Sequence, residues 1–303
     1  MPADTPLDEV LDLVPELAGP REVAELPGGL TNANHKVVAG GEAFVVRRWS
    51  DDGALLAIDR DNEHENTVKA AAVGVGAPVV AYLPEHNALV IAFIEGRTMS
   101  SEDMRTRVSL ERVAEAVRRL HRAEAFRDDF DMFEIQPRYL ALVRRRGFRL
   151  PERYEEFAPQ VERIRDALAV RADAPVPCNN DLLAENFLDT PAGFRLIDYE
   201  YSGNNDACFE LGNVWSESNL SLDQLEALVT AYYGRRLRHK VARARLWGLM
   251  SKYGWTLWAS IQDGVSDIDF DFWGWGMEKY ERAVAEFDSP DFDRLLDEIT
   301  RDD

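Results

Sequence analysis

Pro177-Cys-Asn-Asn-Asp-Leu-Leu-Ala-Glu-Asn186, followed shortly by Arg195-Leu-Ile-Asp198, is the stretch on which the reading of this chain turns. It sets an Asp and an Asn with four residues between them and then ends an apolar strand pattern on a second Asp. That is the spacing of a phosphotransferase catalytic loop. Moving a phosphoryl group onto an alcohol needs a carboxylate to orient the hydroxyl and take its proton. It also needs oxygen ligands for Mg²⁺, which offsets the charge on the phosphates. Asp181 fits the first task, and Asn186 and Asp198 fit the second. A surface turn with caps is the plainer reading, because Asn and Asp favour turns. The later strand-terminal Asp tells against it.

Outward from the loop, the chain changes texture. Before it, short β-type runs alternate with turn signals: Arg21–Pro27, His35–Ala39, Ala43–Trp49, Pro78–Leu83 and Ala88–Phe93, with a helix over Arg60–Val73. Pro27-Gly-Gly-Leu-Thr-Asn32 lies between two of these strands. Gly28 and Gly29 let backbone amides approach phosphate, and Thr31 or Asn32 can hydrogen-bond to it. A plain hairpin turn is the alternative. No Gly-Lys-(Ser/Thr) follows, so this is not a Walker-type loop. Beyond Gly96 helical spacing dominates, over Leu110–Arg122, Glu152–Val170, Leu222–Tyr233, Ala242–Ile261 and Phe272–Phe287. Short strands are expected at Val176–Cys178, Asn186–Leu188 and Phe194–Asp198.

Bulk properties exclude several classes. The 303 residues carry a net charge of −20. Nucleic acid is therefore not the expected partner, because phosphate backbones call for clustered Lys and Arg. A negative field can gather cationic substrates, although solubility alone accounts for it equally well. No run of about 18 apolar residues marks a membrane span, and Met1–Val10 does not read as a signal peptide. Cys178 and Cys208 form no metal-spaced cluster, no His cluster suggests zinc, and a reduced cytoplasmic setting is expected.

Asp198-Tyr-Glu-Tyr-Ser-Gly-Asn-Asn-Asp-Ala-Cys-Phe-Glu-Leu-Gly-Asn213, together with the catalytic and glycine loops, resembles the choline/ethanolamine kinase family. That family lies within the wider aminoglycoside-phosphotransferase and protein-kinase-like superfamily. The resemblance runs from about Leu26 to Phe287. It implies an α+β, protein-kinase-like two-lobed fold: a small antiparallel sheet lobe over residues 1–95 and a larger helical lobe over 96–303, with ATP-Mg²⁺ between them. It implies that Arg47 of Phe44-Val-Val-Arg47 reaches the phosphates and that Glu63 pairs with it. Arg48 remains open, since adjacent strand residues face opposite ways. Ile91-Ala-Phe-Ile-Glu-Gly96 resembles the hinge, where backbone at Phe93 and Ile94 meets adenine. His121 resembles a structural helix end.

Two departures from the family pattern stand out. Asn179 replaces the usual His of the loop, and Glu210 replaces the usual Asp. The acceptor implied is a small cationic alcohol, choline in the first instance. Ethanolamine, another amino alcohol, a sugar or an aminoglycoside is the alternative, and a non-catalytic ligand-binding relative is a further one. Glu217 stands at the family's spacing for an acid facing the ammonium. Trp255 and Trp258 share a helix face, and Trp275 or Trp273 follows, matching an aromatic cage. Core packing is the competing account of these tryptophans.

Overall fold

A computed structural model describes residues 5–50 and 55–301. A short helix α1 (Leu7–Asp12) precedes five strands, β1 (Arg21–Leu26), β2 (Asn32–Ala39), β3 (Glu42–Trp49), β4 (Val79–Leu83) and β5 (Ala88–Ala92). These form one antiparallel sheet in the order β1-β2-β3-β5-β4. Gly40 and Gly41 both have positive φ, 61° and 88°. A two-residue hairpin needs that at both central positions, and glycine adopts it without a Cβ clash. Helix α2 (Arg60–Ala72) crosses between β3 and β4 in the chain. The Asp59 side chain caps it by accepting from Asn62 N.

The remainder is mostly helical. A two-residue strand β6 (Arg97–Thr98) leads to α3 (Arg107–Leu120), α4 (Met132–Arg146) and α5 (Ala158–Ala169). Four short strands then surround the catalytic loop: β7 (Val176–Cys178), β8 (Phe187–Thr190), β9 (Gly193–Leu196) and β10 (Gly203–Asn205). Helices α6 (Ala207–Glu217), α7 (Leu222–Tyr233), α8 (Arg238–Val265), α9 (Phe272–Phe287) and α10 (Phe292–Glu298) complete the chain. The fold is thus α+β, with an N-terminal antiparallel sheet followed by a helical body. Helix α8 is the axis of that body, buried nearly all round from Ala242 to Gln262, with α6 and α9 packed along it. Among the described residues no helix is long and apolar enough to cross a membrane.

Several boundaries differ from the sequence expectation, each for a local reason. The segment expected as one helix over Glu152–Val170 splits into a 3₁₀ turn, Tyr154–Phe157, and α5, whose first turn holds Pro159. Proline fits the first turn because no helical N–H is needed there. Asn186 closes a 3₁₀ turn rather than opening a strand, and β9 stops at Leu196, leaving Asp198 beyond the ladder. Helix α4 had no counterpart in the sequence reading. Pro137 lies inside it, and the Phe133 carbonyl that a helical N–H would have taken accepts from Arg165 instead, at 3.2 Å. Cys178 and Cys208 are both buried and free.

Candidate active site

Helix α6 holds the catalytic loop by its backbone. Glu210 Oε1 accepts from Asn179 N at 2.6 Å and Asn180 N at 3.0 Å, while Asn213 Oδ1 accepts from Leu182 N at 2.5 Å. The other carboxylate oxygen of Glu210 lies 2.8 Å from His121 Nε2, and His121 Nδ1 meets the Tyr232 hydroxyl at 2.7 Å. His121 is therefore a strut between α3, α6 and α7. His121, Cys178 and Glu210 form a buried cluster of metal-ligand types. Both ring nitrogens and both carboxylate oxygens there already have hydrogen-bond partners, so the cluster reads as scaffold.

Asn179 answers the question raised by its departure from the family pattern. Its amide donates to the carbonyls of Asp198 at 2.7 Å and Ile197 at 3.3 Å, and its Oδ1 accepts from Asp181 N at 3.1 Å. One buried side chain thus staples the loop carrying Asp181 to the turn carrying Asp198. That turn is strained: Asp198 has φ +64°, a region non-glycine residues seldom occupy.

Arg47 projects from β3 into the same space. It bonds Asp198 Oδ1 at 2.6 Å and Glu63 Oε1 at 3.1 Å. Burial pulls its pKa down, but Asp198, Glu63 and Glu200 more than reverse this and keep the guanidinium charged. Arg48 points away and donates to the Thr5 carbonyl at 3.2 Å. Strand alternation allowed either arginine to face in, and the register of β3 between β2 and β5 selects Arg47. Asn186 donates its amide nitrogen to the Asp181 carbonyl at 2.8 Å, a bond that does not occupy its side-chain oxygen. With the Asp198 carboxylate it offers the hard oxygen donors that Mg²⁺ takes.

These groups share one cavity of about 770 Å³. Gly28, Gly29, Thr31, Phe93 and Ile94 line one part of it. Arg47, Asp181, Asn186 and Asp198 line it too, as do Glu217, Trp255, Trp258 and Trp275. Burial first, then the carboxylates of Asp198, Glu217 and Glu200, push the Asp181 carboxyl well above its ordinary range. Raised basicity is what a proton acceptor needs.

Two expected nucleotide contacts stand outside the lining. Asn32 is buried, and its side chain bonds Glu200 at 3.0 Å and Arg60 at 3.0 Å. Glu63 is committed to Arg47 and Arg60. Both support the site from behind. Thr31 lines the cavity, yet its hydroxyl donates to Glu200 at 2.9 Å. Burial and the Asp198 charge raise Glu200 to about 7 despite Arg60 and Arg47 beside it. Trp273 stacks 3.9 Å from the Arg149 guanidinium and does not line the cavity, so Trp275 is the tryptophan of that helix turn that does.

Comparison with known proteins follows from this geometry. The model of the choline/ethanolamine kinase family matches residues 23–233. The chain belongs to the choline/ethanolamine kinase family. A choline/ethanolamine kinase family protein from Mesorhizobium loti has a solved structure with TM-score 0.82 and 32% identity, covering 96% of this chain and 98% of that one. Among curated relatives, the LicA protein of Haemophilus influenzae is 25% identical over 252 residues, 78% of this chain and 72% of that protein. Ethanolamine kinase 2 of Rattus norvegicus is 28% identical over 261 residues, 76% of this chain and 66% of that protein. An aminoglycoside 2'-phosphotransferase-IIIa, solved as its GDP complex, shares the fold at TM-score 0.65 and 12% identity.

Sequence reasoning missed two residues, one lining this cavity and one behind its wall. Tyr201 lines the cavity, accepts from Trp258 Nε1 at 2.8 Å and packs its ring edge-on to Trp255 at 4.9 Å. Its place in the quoted signature was the available signal. Lys279 bonds Glu217 and carried no signal at all, being one lysine on a charged helix.

Proposed function

We propose that this chain transfers the terminal phosphate of ATP to the hydroxyl of a small cationic amino alcohol, choline or ethanolamine. The observation that carries the reading is a single cavity in which Asp181 has phosphate-type ligands and a tryptophan-lined acidic wall for neighbours. Backbone at Gly28 and Gly29 and the Arg47 guanidinium would hold phosphates, and the Phe93–Ile94 backbone would meet adenine. Asn186 and Asp198 would hold Mg²⁺, which when bound offsets negative charge on the phosphates. Asp181 would orient the acceptor hydroxyl and take its proton as the oxygen bonds to phosphorus and ADP leaves. Trp255, Trp258 and Trp275 offer faces to an alkylammonium head, beside Glu217.

ATP consumption with Mg²⁺ against choline, ethanolamine, simple sugars and an aminoglycoside tests this. Selective turnover of an amino alcohol is expected. Turnover of sugar or aminoglycoside alone would end the amino-alcohol reading, and nucleotide binding with no turnover would point to a sensor. Asp181→Asn should lower kcat by about 100- to 10,000-fold, the range of general-base contributions, with ATP affinity largely kept. Retained turnover would remove Asp181 from the base role. Between choline and ethanolamine, the buried pairing of Glu217 with Lys279 favours ethanolamine.

A further inference from the structure

The carboxylate on the acceptor side of the cavity already has a cation. Glu217 ends α6, and its Oε2 accepts from Nζ of Lys279 in α9. The same ammonium stands 4.0 Å from the centre of the Trp275 ring. Both side chains of the pair are sealed from solvent, at 6% and 2% exposure. Glu217 and Trp275 line the cavity and Lys279 does not, so the lysine backs the wall that an acceptor would touch. Arg282, bonded to the Ser216 carbonyl, adds positive charge near the same carboxylate, whereas burial and the neighbouring Arg282 push the Lys252 ammonium well below its ordinary range. Glu217 Oε1 is buried and has no hydrogen-bond partner among the described residues.

These facts bear on what kind of head group the site can read. A trimethylammonium group is held by negative charge and aromatic faces, and it has no N–H to give. A carboxylate neutralised from behind presents a dipole rather than a net charge, so its pull on such a group is weak. The orphan Oε1 instead asks for a donor, because a buried acceptor left unmatched is costly. We propose that Lys279 is a positioning residue that sets acceptor preference. By neutralising Glu217 it makes the site read the head group through hydrogen bonding and shape rather than net charge, favouring an N–H-bearing head over a quaternary one. The inference rests on the amino-alcohol reading above.

The test compares three acceptors: choline, ethanolamine, and the neutral carbon isostere of choline in which a tert-butyl group replaces trimethylammonium. Each is assayed as substrate or as competitive inhibitor. In the wild-type protein ethanolamine should be the best acceptor, and choline should outdo its isostere by less than about tenfold, a compensated site adding little to the aromatic contribution. Lys279→Met should raise the choline-to-isostere ratio by about tenfold through KM, as expected for unmasking one charge near the head group, while Lys279→Arg keeps the wild-type ratio. A merely structural lysine would move the charged and neutral acceptors together, and an unchanged ratio in a folded Lys279→Met protein would overturn the proposal. So would a wild-type preference for choline over its isostere of about a hundredfold or more, a result that needs no variant to fold. Turnover of choline in preference to ethanolamine sinks this inference alone. Turnover and binding of none of the three sinks the amino-alcohol reading as well.

Discussion

At position 179 a single amide ties two segments of the cavity together. Asn179 has two donors and an acceptor, and all three groups it meets are backbone: the carbonyls of Ile197 and Asp198 and the N–H of Asp181. The side chain is fully buried, so nothing else can satisfy those groups if it is removed. Asn179→Ala should therefore cost about 1–3 kcal/mol of stability for the stranded polar atoms. The loosened loop should also lower activity: kcat is expected to fall about 10- to 100-fold, the usual effect of removing a support behind a metal ligand. Thermal unfolding and steady-state kinetics check both, and a variant with wild-type kcat would show that the staple is dispensable. Glu210 makes a comparable statement. Its side chain, one methylene longer than the usual Asp, bridges two loop amides and His121 at once.

At the scale of elements, the position of the cavity wall proposed to meet the acceptor depends on how closely α6 approaches α8. The two helices touch backbone to backbone at Gly212 and Gly248. A Cβ on Gly248 would stand 2.6 Å from both the Gly212 carbonyl oxygen and the Trp215 ring, and one on Gly212 would stand 2.1 Å from the Ala244 carbonyl oxygen. Neither helix can retreat freely, because α6 carries Glu210, Asn213 and Glu217, while α8 carries Trp255 and Trp258. Gly248→Ala should destabilise the protein by about 1–3 kcal/mol, the usual cost of overpacking. It should raise acceptor KM more than ATP KM, since the displaced wall lies on the acceptor side. Denaturant melts and separate titrations of the two substrates decide it, and equal KM changes would count against this account. Helix α4 went unrecognised in the sequence because an internal proline argues against helix wherever local preference alone is consulted. Here Arg165, distant in sequence, satisfies the carbonyl that Pro137 leaves open.

For the whole molecule, the sheet and the helical body are joined through buried charge. Arg47 of β3 pairs with Asp198, Thr31 and Asn32 bond Glu200, Asn62 of α2 bonds the Ser202 carbonyl, and Gln262 of α8 bonds the Leu30 carbonyl. Arg47 is the hub, because three carboxylates converge on it. Replacing a buried ion-pair partner leaves the others uncompensated, so Arg47→Met should cost about 3–5 kcal/mol. It should also weaken ATP binding while leaving acceptor KM less changed. Calorimetry and ATP titration test this, and an unaltered ATP affinity would remove Arg47 from the phosphate site.

What the sequence determined by itself was the chemistry-bearing order along the chain. The residues proposed as base and oxygen ligands, and the glycine loop, sit at spacings set by local turns and strands, and local geometry is legible from neighbouring residues. The family pattern added the pairing of Glu63 with an arginine and the tryptophan pair of α8. Strand periodicity could say that Arg47 and Arg48 face opposite ways, but not which faces the cavity, because facing depends on sheet register and on what covers each side. Helical spacing likewise left Trp273 and Trp275 undivided until the packing of α9 sent one to Arg149 and the other to the cavity. The Glu217–Lys279 pair was decided by tertiary structure alone. Sixty-two positions separate its members, and only the packing of α6 and α9 against α8 brings an acid and an ammonium together out of water.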